Sequence, residues 1–187
     1  MIQGSELTLL NEWHNFYTIM GTAAATLMGL MFVVTTLTTD ANRGGRETLN
    51  AGISAFTTPS VVHFCAVLLL AALLSAPWGT FSSLQVLLVL VGVAAVLYMI
   101  AVMRLMRRIP HYPTPLKDWL WYLVFPFTAY ILLVMAAVAL GTNPAMALYL
   151  ISAVMLLLLF LAVHNGWDLV TFFAIERSAS RTTRRKG

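Results

Sequence analysis

Charge is scarce in this chain. Only 10% of its 187 residues are Asp, Glu, Lys or Arg, while 60% are hydrophobic. A soluble domain carries about 25% charged residues, so most of this surface cannot face water. There is a single cysteine, Cys65, which rules out an internal disulfide, and no CxxC or zinc-type spacing occurs. The chain has no Asn-x-Ser/Thr sequon, Walker loop, GxGxxG, HExxH or GxSxG, so none of the catalytic signatures that these motifs mark is in place. A TVGYG-type filter and an S4-like arginine ladder are missing as well. No internal repeat is visible, which argues against an inverted-repeat transporter. The first twenty residues hold Glu6 and Glu12 and no Lys or Arg. They lack the basic start of a cleavable signal peptide, and the apolar stretch that follows, about Phe16 to Leu37, is longer than a signal core.

What the chain does have is apolar length. A spanning helix needs about 20 mostly apolar residues, and five such runs are present: about Trp13 to Leu37, Gly52 to Ala76, Ser82 to Met106, Asp118 to Leu140 and Ala145 to Ala174. The segments between them are rich in Gly, Pro and Asn, which end helices and turn the chain. The prediction is an all-α polytopic membrane protein, a bundle of about five transmembrane helices. Residues 1–176 form one transmembrane domain, and residues 177–187 form a basic, disordered tail.

The basic residues set the expected orientation. With five crossings, Arg43 and Arg46, then Arg104, Arg107, Arg108 and Lys117, then Arg177, Arg181, Arg184, Arg185 and Lys186 all fall on one side. These are all 11 basic residues. The positive-inside rule then predicts an outside N-terminus and a cytoplasmic C-terminus, in a bacterial cytoplasmic (inner) membrane, with anionic lipid headgroups against the basic face. No nucleic-acid partner is expected. Trp13 and Trp78 sit near the predicted outer ends of helices, and Trp119, Trp121 and Trp167 near inner ends, as an aromatic belt requires.

Several intramembrane residues stand out. On the first helix Thr18, Thr22 and Thr26 recur every four residues, as do Gly21, Ala25 and Gly29, and together they occupy a wedge of roughly 140°. Small residues let helices approach closely and threonine hydroxyls bond across them. This face is therefore expected to pack on protein, within or between subunits, or to line a hydrated path. The second helix carries Thr57 and Thr58, then Pro59, a hinge candidate, as is Pro126 in the fourth. His63 lies about 20 Å from the outer end of its helix, a depth at which ionisable groups are functional candidates. In the fifth helix His164, Asn165, Asp168 and Thr171 share a face about 120° wide. Asp168 is expected either to pair with an arginine at the inner interface or to attract cations.

Three functions fit this inventory. The first is a homo-oligomeric, cation-preferring channel or small-solute pathway, with Asp168 near the inner mouth and His63 tuning it. The second is a non-catalytic subunit of a larger complex with membrane-protein partners. The third is a haem or quinone protein with His63 and His164 as iron ligands. No other metal or cofactor is expected, and no nucleophile–base pair marks an enzyme.

Overall fold

The structure is a computed structural model that describes residues 8–41, 47–106 and 119–184, with the side chains of 51–59 and 172–184 among those left out. Five α-helices account for nearly all of it. After a short helical turn at 8–12 come α1 (His14–Ala41), α2 (Glu47–Ser75), α3 (Phe81–Met106), α4 (Phe125–Ala139) and α5 (Pro144–Arg184). A π-helical turn, Leu120–Val124, leads into α4. Among the described residues there is no strand.

The connections follow from local chemistry. Pro77 stops α2, and the Trp78 indole donates to the Leu73 carbonyl at 2.6 Å, satisfying one of the acceptors that a helix end leaves free. Asn143 caps α5 by accepting from the Met146 amide at 3.2 Å, and Pro144 fills the first helical position, where no N–H is needed.

Four stretches are long and apolar enough to cross a membrane: His14–Val34, Phe81–Leu105, Leu120–Ala139 and Pro144–Asp168. The second run of the sequence also forms one helix, but it contributes a shorter apolar stretch, Ser60–Ser75, among the described residues. Four of the five expected runs thus qualify as spans among the described residues, and the second qualifies over its described part only as a shorter apolar helix.

The helices are not equivalent. Half of the spanning window of α5 is buried, against 22% for α1 and 17% for α3, so α5 is central and α1 and α3 are peripheral. α5 packs on both α2 and α4, with α1 against α2 and α3 against α4. Three glycines within helices mark close approaches between helices. A Cβ on Gly21 would lie 3.0 Å from Ala71 Cβ, one on Gly92 2.8 Å from Val134 Cγ2, and one on Gly166 2.9 Å from Met31 Sδ. Gly21 joins α1 to α2, Gly92 joins α3 to α4, and Gly166 joins α5 to α1.

Two boundaries depart from expectation. α5 runs on to Arg184, ten residues past the predicted end at Ala174, so positions 177–184 of the basic tail are helical. Extending a formed helix avoids the unfavourable nucleation step. The fourth helix begins with the π turn, in which the Phe125 amide bonds back to the Leu120 carbonyl. The wider turn comes where Pro126 would otherwise crowd the carbonyl four residues earlier. At Pro59 the helical backbone of α2 continues.

Candidate functional site: a polar interior in an apolar bundle

α1 buries Tyr17, Met20, Ala24 and Met31. The spacing of these residues is that of a helix stripe facing a core. The threonine row faces the other way. Thr18, Thr22 and Thr26 are exposed, and each hydroxyl donates to the carbonyl four residues earlier, at 2.9, 2.8 and 2.8 Å. Ala25 is exposed, and a Cβ on Gly29 would meet nothing within 4 Å. Gly21 of this face packs against α2, at Ala71. The side chains of Thr57, Thr58 and Pro59 lie outside the described part.

The interior is where the polar residues are unusual. Ser60, His63 and Asn165 are 0% exposed, and Ser152 is 4% exposed. Ser152 is satisfied, its hydroxyl donating to the Leu148 carbonyl at 2.8 Å. Among the described residues Ser60 Oγ, His63 Nε2 and both amide atoms of Asn165 have no hydrogen-bond partner. His63 Nδ1 lies 2.8 Å from the Tyr130 hydroxyl, so α2 and α4 are tied by a buried hydrogen bond between ring systems whose centroids are 5.7 Å apart. Tyr130 was invisible to sequence reasoning, because a tyrosine in an apolar helix reads as core until its partner is known. The neighbouring Cys65 is exposed, and its thiol touches Met28 Sδ at 3.5 Å.

The fifth-helix cluster divides. Asn165 turns inward and is fully buried, whereas His164 and Asp168 stay at the edge with side chains 24% and 40% exposed. His164 Nε2 lies 3.6 Å from Asp168 Oδ2, one turn along the same helix. Among the described residues Asp168 pairs with this histidine, and the side chains of Arg107, Arg108 and the tail arginines lie outside the described part. The imidazole also lies against the Trp121 indole, with ring centroids 3.9 Å apart and planes at 31°. Trp121 belongs to the π turn, so the irregularity before Pro126 places an indole on the His164 ring. Thr171 hydrogen-bonds to the backbone carbonyls of Trp167 and Asp168.

No group of three or more His, Cys, Asp or Glu side chains comes together as a metal site among the described residues. Comparison with protein-family models, with curated proteins and with solved structures finds no match to the chain. Its four apolar helices make this a small multi-span membrane protein in contact with lipid.

Proposed function

We propose that the protein provides a pathway for a small cation or polar solute across the bilayer and that it works as a homo-oligomer. The observation that carries this reading is a set of fully buried polar side chains with unpaired atoms among the described residues, Ser60 Oγ, His63 Nε2 and the Asn165 amide, in a bundle whose core is mostly Leu, Ala, Met and aromatic side chains. Each such group costs about 1–3 kcal/mol when left unpaired. Hydrophobic packing gains nothing from them, and polar groups at membrane depth belong to ion and proton paths. Asp168 and His164, partly exposed at the end of the spanning stretch of α5, form the mouth at which a cation is first attracted.

The oligomer is read from α1. Thr18, Thr22, Thr26, Ala25 and Gly29 offer a second copy a smooth outer face of small side chains. The hydroxyls are already bonded to backbone, so the face adds close packing without unpaired donors. In this arrangement α2 completes a fifth crossing, the basic residues gather on the cytoplasmic side and the N-terminus lies outside.

The deciding experiment is flux into liposomes containing the purified protein, with potassium, sodium, proton and urea gradients applied in turn. Passage of one of these above the rate of empty vesicles is expected. Tightness to all four would remove the reading.

A further inference from the structure

The reading above leaves open which cation is carried, and the contact between α2 and α4 bears on that. His63 and Tyr130 are both 0% exposed, with Nδ1 and the phenol oxygen 2.8 Å apart. Counting protons fixes the direction of this bond. A neutral imidazole has one N–H and the phenol has one O–H. If Nδ1 held the proton and donated it, the Tyr130 proton would need another acceptor and Nε2 would be a bare buried lone pair. If Tyr130 donates to Nδ1, the imidazole proton sits on Nε2, and that N–H alone has no partner. One orphan costs less than two, by about 1–3 kcal/mol. Tyr130 therefore holds His63 in the Nε2–H form.

Ser60 stands three residues before His63 on α2 and is equally buried, and its hydroxyl also has no partner. Residues at i and i+3 are surface neighbours, about 5–6 Å apart at Cβ. The two unpaired atoms, His63 Nε2 and Ser60 Oγ, are not bonded to each other, so a link between them needs one bridging water. The three side chains form a sequence from α4 into α2: a hydroxyl that donates, a ring with two nitrogens, and a second hydroxyl that lacks a partner.

We propose that Tyr130, His63 and Ser60 are a proton relay and that the proton is the cation this protein carries. The relay rests on the pathway reading given above. A proton arriving at the Tyr130 oxygen forms a new O–H bond there. The original phenol proton passes along the 2.8 Å hydrogen bond to Nδ1. The ring is then an imidazolium, and its Nε2–H bond breaks as that proton moves across one bridging water to Ser60 Oγ. The serine's own proton leaves to the next acceptor. One proton enters, one leaves, and no oxidant or reductant is needed. The ring is left protonated on Nδ1 and must return to the Nε2–H form before the next transfer, so passage is slow and one proton at a time. A hydrated sodium or potassium ion has no equivalent way through fully buried side chains, because it must bring ligands or space with it.

Two measurements test the relay. In liposomes holding a pH-sensitive dye, wild-type protein is expected to admit protons down an imposed potential and to exclude sodium. Positioned proton donors and acceptors contribute about 10²-fold or more, so Tyr130→Phe and His63→Gln should each cut proton flux by roughly that factor, while Ser60→Thr, which keeps the hydroxyl, should retain it. If potassium or sodium crosses and protons do not, the relay is wrong and the pathway stands. If nothing crosses, both fall. Nitrogen-15 NMR of wild-type protein in lipid, with His63 assigned by its loss in His63→Gln, needs no variant flux. A His63 signal protonated on Nε2 supports the relay, and one protonated on Nδ1 overturns it.

Discussion

A single methyl group on Gly92 tests how α3 meets α4. An ideal Cβ there lies 2.8 Å from Val134 Cγ2, 3.4 Å from the Val134 nitrogen and 3.5 Å from its Cα. Carbon atoms pack best about 3.5–4.0 Å apart, so the closest contact overlaps by more than half an ångström. The neighbour cannot easily yield, because valine in a helix has one strongly preferred rotamer and two of the three atoms are backbone. Overpacking of this kind costs about 1–3 kcal/mol. Replacing Gly by Ala within a helix returns about 0.8–1.0 kcal/mol of propensity, which blurs the effect in isolation. Gly29→Ala removes the ambiguity. It makes the same chemical change in a helix where a Cβ meets nothing within 4 Å. Compared as dissociated single chains, the two variants then differ by the contact alone, with Gly92→Ala the less stable by about 1–3 kcal/mol. The assay is equilibrium unfolding in mixed micelles, followed by helical circular dichroism. Adding Val134→Ala to Gly92→Ala should recover most of the loss, since the clashing Cγ2 is gone. Equal stabilities for Gly92→Ala and Gly29→Ala, or no recovery in the double variant, would refute the α3–α4 packing.

Gly29→Leu should leave the helical content of the subunit unchanged, because the position is open. It should also shift the protein to a smaller species in light scattering if a second copy packs on that face; an unchanged mass would remove α1 as the interface. Asp168→Asn should lower the preference for cations over neutral solutes in liposome flux, and unchanged selectivity would end its role at the mouth. Trp121→Leu should weaken the ring contact that fixes His164, by about 0.5–1.5 kcal/mol for an aromatic pair. Its readout is broadening of the His164 ring resonances, and an unaltered spectrum would show that the indole does not hold the ring. In a Cys65→Ser background, Thr80→Cys should react with an impermeant thiol reagent from outside intact cells, and Ser178→Cys only after lysis. Labelling of both from one side would overturn the five-crossing arrangement.

Hydrophobic length and the punctuation of Pro and Gly made the helices legible without a structure, because a chain with this little charge can bury its surface only in lipid. The breaks at Pro77 and Gly141–Pro144 were readable for the same reason, since proline cannot donate the bond that would continue a helix. The role of single side chains was less legible. His63, Asn165 and Asp168 stood out as polar groups in apolar runs, yet periodicity alone could not tell which way each one turned.

The threonine row on α1 shows the limit most clearly. Spacing placed Thr18, Thr22 and Thr26 on one face, but both faces of that helix are acceptable to a neighbour, and only packing decided that Tyr17, Met20 and Ala24 point inward. Composition, helix positions and the all-α class belong to the sequence by itself, because they depend on local pattern and on solvent. The pairing of His63 with Tyr130, the seating of Trp121 on His164 and the central place of α5 were decided by tertiary structure. Each joins residues 40 or more positions apart, and such contacts exist only once several helices have fixed one another's rotation.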